Sequence, residues 1–139
     1  MVLAFVFSRR YNTRSVKKVS TQHSRERAWV EISLVNLQTN ARTVREAAGG
    51  AALLPMIKAD AYGLGAVKVG EALEELEPWG YGVATLCEAI ELREAGIRRP
   101  LVVFTPATFD MLEFYREYDL RAVLDDPTLA DRWDLPFHL

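Results

Sequence analysis

A lysine closes the apolar run LLPMIKA, a tyrosine follows four positions later, and two glycines stand just behind it: Lys58, Tyr62, Gly63 and Gly65. A primary amine at the carboxyl end of a buried strand is costly unless it has a partner or a covalent role, because an apolar setting favours the neutral amine over the ammonium. A neutral amine can attack an aldehyde and form a Schiff base. The plainer reading on spacing alone is a lysine that snorkels from a strand end to water. Tyr62 carries the same two readings, a phenol donating to an oxyanion beside close-approaching glycine backbone, or an aromatic that covers the loop. The Gly63-Leu64-Gly65 pair lacks the third glycine and downstream acid of a dinucleotide fingerprint.

Other reactive side chains offer less. Cys87 is the single cysteine, which excludes an internal disulfide framework, and with no base matched beside it the expected role is packing. The two histidines, His23 and His138, are far apart in the chain and build no His/Cys metal cluster; none is expected to bind metal. His138 reads as a core or edge residue of the last strand, and Trp29, Trp79 and Trp133 as local packing anchors. Glu71, Glu74, Glu75 and Glu77 read as the solvent face and end of one helix.

These residues need a scaffold, and the hydrophobic period supplies one. WVEISL (29–34) offers a short extended run, after which Ser33 caps a helix with Leu34, Leu37, Ala41, Val44 and Ala48 at helical spacing, stopped by Gly49-Gly50. Short apolar runs then alternate with helical patterns, as parallel strands covered by helices require. The expected strands are 53–59, 81–84, 100–104, 121–124 and 135–139. Between them lie helices at 66–76, from the Thr85/Glu88 capping box to Gly96, from Thr108 through Tyr115, and from Asp126-Pro127.

With 139 residues there is room for one modest domain but not for a complete barrel of roughly 250 residues. Half the residues are hydrophobic and 26% charged, which is globular usage. Residues 1–27 hold seven Lys or Arg against one Glu, whereas residues 28–139 hold ten against eighteen acids, and such an acidic body is a poor nucleic-acid partner. Residues 1–26 read as a basic tail or an early-assigned start, and 27–139 as the folded unit. VLAFVF is too short, and its basic residues fall on the wrong side, for a signal peptide or membrane span, so the expected location is the cytoplasm. Because the chain stops inside the strand-like LPFHL, the sequence predicts a longer parent.

Taken whole, MIKADAYGLGA (56–66) resembles the pyridoxal-phosphate attachment signature of the alanine racemase family, with K-A-D-A-Y-G in unbroken register. RAWVEISLVNLQTN is similar to that family's opening strand and helix, and YGVATLCEAIELREAGIRRPLVVF to its next two strand–helix units. The resemblance implies an α/β fold, an incomplete (β/α)8 TIM-type barrel covering about the first half. It implies that Lys58 carries the cofactor and is one of two acid–base groups, that Tyr62 helps hold the phosphate, and that Leu86 lies near the cofactor ring. Histidine is frequent in the family where this chain has Leu64, a departure that removes a supporting hydrogen bond rather than the chemistry. The implied activity of the full-length parent, an isomerase, is interconversion of L- and D-alanine on pyridoxal 5'-phosphate, supplying D-alanine for peptidoglycan. The parent is expected to be a homodimer whose second subunit provides the opposing tyrosine base. The alternatives are a serine or broad-specificity racemase and an inactive cofactor-binding fragment.

Overall fold

The computed structural model describes residues 31–139. Trp29 and the basic stretch 1–26 lie outside the described residues, as does the start of the expected extended run 29–34; its described part, 31–33, has no strand. Leu34–Leu139 is a compact unit of its own. Its order is helix α1 (Leu34–Ala47), a helical turn α2 (Lys58–Gly63), α3 (Ala66–Leu73), β1 (Tyr81–Val83), α4 (Leu86–Glu94), β2 (Leu101–Val103), α5 (Leu112–Glu117), β3 (Leu120–Val123), α6 (Pro127–Ala130) and β4 (Phe137–His138).

The four strands form one sheet in chain order, β1-β2-β3-β4, and every pair is parallel. Tyr81 registers with Leu101, Leu101 with Leu120, and Ala122 with Phe137. Helices α4 and α5 sit in the β1–β2 and β2–β3 crossovers, the strand–helix alternation of a (β/α)8 barrel over about its first half. The expected strand at 53–59 is corrected to a single parallel bridge, Met56 with Gly82, closed by Ile57 N–H to the Gly82 carbonyl and Gly82 N–H to the Pro55 carbonyl, each at 2.9 Å. The reason is local: Pro55 has no N–H to extend the ladder, and the backbone leaves the sheet at Lys58.

Alternation within each strand divides the sheet's faces. Tyr81, Val83, Leu101, Val103, Leu120 and Ala122 join one buried cluster with Val69, Leu73, Ala89, Leu92 and Tyr115 from the helices. On the other face Val102, Phe104, Val123 and His138 line an open cavity with Leu54 and Leu139. Close approach fixes the register at the start of β1, where a Cβ on Gly80 would meet the Pro100 carbonyl oxygen. Beneath the sheet, the Tyr81 hydroxyl lies 2.8 Å from the Gly70 carbonyl and 2.9 Å from Glu74 Oε1, and Arg99 Nε donates to Glu74 Oε2 at 2.7 Å. Glu74 is therefore a structural acceptor rather than part of a purely solvated face. Burial first, then the bond to Glu74, hold the Tyr81 phenol well above the usual range for tyrosine.

Candidate active site

Lys58 leaves the sheet one residue after Ile57, whose N–H is the last ladder bond on that edge. From Ala59 to Tyr62 the backbone is left-handed: φ runs from 51° to 58° and ψ from 37° to 50° across four consecutive non-glycine residues. Each such residue costs about 1–2 kcal/mol relative to the right-handed form, so the turn exists only because its surroundings impose it. Three residues, Ala61, Asp60 and Glu88, anchor it. Ala61 is buried, 3% exposed, with its N–H bonded to the Ile57 carbonyl at 2.9 Å. Asp60 ties off the far end, its carboxylate accepting from Ala66 N–H at 2.7 Å and its carbonyl from Gly65 N–H at 2.9 Å. Glu88 Oε1 accepts from Ala59 N–H at 2.7 Å at the near end. A carboxylate bond of this kind is worth about 1.5–3 kcal/mol, comparable with the cost of one or two left-handed residues.

Glu88 reaches the turn from 29 residues further along the chain than Ala59. Thr85 and Glu88 form the expected capping box at the start of α4, with Thr85 Oγ1 accepting from Glu88 N–H. The second carboxylate oxygen of Glu88 accepts from Ala84 N–H at 2.8 Å and Thr85 N–H at 3.0 Å. Burial alone would push this carboxyl up, but the backbone donors Ala59, Thr85 and Ala84, with the charge of Lys58, outweigh it and hold it below its ordinary value.

The expected site residues meet here unequally. Lys58 is half-buried, and among the described residues its amine has no ion-pair partner within 4.0 Å. Tyr62 shares its turn and is 55% exposed. Gly63 and Gly65 continue in the left-handed region, with open space where a Cβ would stand. Leu86 is the first residue of α4, partly buried and packed against the core cluster. His138 is exposed, edge-on to Trp79 at 6.0 Å, and Arg121 lies over the same indole. Cys87 is exposed rather than packed, which corrects the packing expectation: its place in the first turn of α4 faces it outward. Among the described residues no group of three or more His, Cys, Asp or Glu could hold a metal ion, and no helix is long and apolar enough to cross a membrane. Sequence reasoning missed Glu88 and Asp60 as supports of the lysine turn. Only the capping-box spacing signalled the first, and it gave no hint of a contact 29 residues away.

A parallel strand–helix sheet of this kind is a half-barrel scaffold that hosts many unrelated activities, and the fold by itself names none of them. A sequence model described as alanine racemase, N-terminal domain, matches residues 32–135, and the chain belongs to that family. It is 41% identical over 86 residues to an alanine racemase of Fusobacterium nucleatum, covering 62% of this chain and 24% of the relative. With an alanine racemase of Neisseria gonorrhoeae it shares 40% over 110 residues, 76% of this chain and 28% of the relative. It superposes on the alanine racemase structure of Clostridium difficile 630 with a TM-score of 0.69 at 30% identity, covering 75% of this chain and 28% of that one. The chain thus spans about a quarter of the length of the curated relatives it matches.

Proposed function

We propose that this chain supplies the cofactor-anchoring part of a pyridoxal-phosphate-dependent alanine racemase, with Lys58 as the anchor. The observation that carries the reading is the place of Lys58: a half-buried residue whose amine has no ion-pair partner among the described residues, at a parallel sheet edge, opening a turn built against its own steric preference. Strain of this kind concentrates at functional sites.

The residues present fit the cofactor. The Lys58 amine is available to bond an aldehyde carbon with loss of water, the exposed Tyr62 phenol can donate to a phosphate oxygen, and no side chain stands over the Gly63 and Gly65 backbone. Leu86 is assigned to the flank of the ring. When bound, pyridoxal phosphate supplies an electron sink that makes the α proton of an amino acid removable. Lys58 Nζ would then hold and return that proton on one face of the α carbon. Racemisation calls for a second proton carrier on the opposite face, which we assign to the other subunit of a homodimer. The substrate is assigned as alanine because the matched relatives above are alanine racemases. An exposed, unpaired Cys87 fits a reducing cytoplasm.

The test is borohydride trapping of the chain mixed with pyridoxal phosphate, followed by peptide mass mapping. A pyridoxyl group on Lys58, absent in Lys58→Ala, is the expected result. Label spread evenly over all lysines would defeat the assignment.

A further inference from the structure

We propose that Glu88 is the positioning residue of the lysine turn: one carboxylate ties the peptide after Lys58 to the carboxyl end of β1 and the first turn of α4, and so aims the lysine. The cofactor half of this proposal rests on the reading of Lys58 as the anchor.

The Ala59 N–H belongs to the peptide plane that joins Lys58 to Ala59. Fixing that N–H at 2.7 Å from Glu88 Oε1 fixes the plane, and with it the backbone from which the Lys58 side chain projects. A capping glutamate needs only the Ncap N–H, here Thr85. Glu88 takes two donors more, Ala84 from the strand end and Ala59 from the lysine turn. The Ala59 bond adds nothing to the cap of α4, yet it is the shortest of the three carboxylate contacts. The arrangement also divides the work by atom: Oε2 serves the cap and strand end, and Oε1 serves the lysine turn.

That division makes the role separable from capping. In Glu88→Gln the amide has one carbonyl oxygen, which can serve Ala84 and Thr85 or Ala59, but not all three. In Thr85→Ala the cap loses its hydroxyl while the carboxylate keeps all of its donors. Two measurements on the 139-residue chain distinguish them: amide exchange at Ala59 without cofactor, and the ratio of borohydride-trapped pyridoxyl label on Lys58 to that on the exposed Lys68 of α3. Glu88→Gln is expected to speed Ala59 exchange about tenfold, as a local opening would, and to lower the label ratio by roughly fivefold, the effect of a misaimed nucleophile. Thr85→Ala should leave both within about twofold despite a lower melting temperature. Should Glu88→Gln fail to fold, Glu88→Asp, shorter by a methylene but still charged, is expected to show the same two losses. Unchanged Ala59 exchange in a folded Glu88 variant overturns the proposal, and so does an equal fall in the ratio in Thr85→Ala. A wild-type chain with no preference for Lys58, but with the Ala59 exchange difference intact, would sink the anchor reading and leave Glu88 as the support of the turn.

Discussion

Lys58, Tyr62 and Glu88 would do different work and should fail differently. Tyr62→Phe removes a donor and nothing that shapes the turn, so the expected defect is about 1 kcal/mol in apparent affinity for pyridoxal phosphate, relieved by raising its concentration in a titration. Glu88 adds a pH dependence whose sign follows from its depressed folded-state pKa. Such a carboxylate contributes stability above its ordinary value of 4.5 and loses it as the pH falls through the lower folded value. Melting temperatures of wild type and Glu88→Gln should therefore differ at pH 7 and converge as the pH is taken from 5 toward 3. A gap that persists in acid would mean that the carboxylate's charge is not what matters. At this scale the sequence singled out Lys58 and Tyr62 as candidates through an unbroken local motif. It hid Glu88's second task because hydrogen bonds between distant segments leave no spacing to read.

Among the elements, α2 is the one whose backbone opposes its composition. Ala59 is exposed and left-handed, so Ala59→Gly exchanges a left-handed penalty of about 1–2 kcal/mol for a glycine entropy cost of about 0.5–1 kcal/mol. Its stability should hold or rise slightly in urea unfolding, whereas Ala89→Gly in α4 should lose about 1 kcal/mol or more, since that residue is right-handed and fully buried. Gly80→Ala places a Cβ against the Pro100 carbonyl at the β1–β2 start and should cost about 1–3 kcal/mol in the same assay. Most of these elements were legible beforehand. The apolar runs at 81–84, 100–104 and 121–124 marked the strands observed at Tyr81–Val83, Leu101–Val103 and Leu120–Val123, and Thr85, Gly96 and Asp126-Pro127 marked helix ends because capping chemistry is local. The hand of α2 was not legible, since Ala-Asp-Ala-Tyr has no preference for it and the forces that impose it come from α4 and α3. The shortening of 53–59 to one bridge follows from the same departure.

Over the whole molecule, charge is segregated, with the basic excess in residues 1–27 and the acidic excess after them. The family match begins at residue 32, so a chain lacking residues 1–26 is expected to keep the far-ultraviolet dichroism and Lys58 labelling of the full chain. Loss of either would assign the basic stretch to the folded unit. The sheet itself carries a further consequence. Each strand pairs with the one before it in the chain, and registered partners lie 15 to 20 residues apart. Loop closure over such distances is inexpensive, and no strand must wait for a segment not yet made. The sheet can therefore grow vectorially on the ribosome, each new strand docking on an edge that already exists. Release of an arrest peptide, read at successive chain lengths, should then rise in steps as β2, β3 and β4 clear the exit tunnel, rather than once when the last of them emerges.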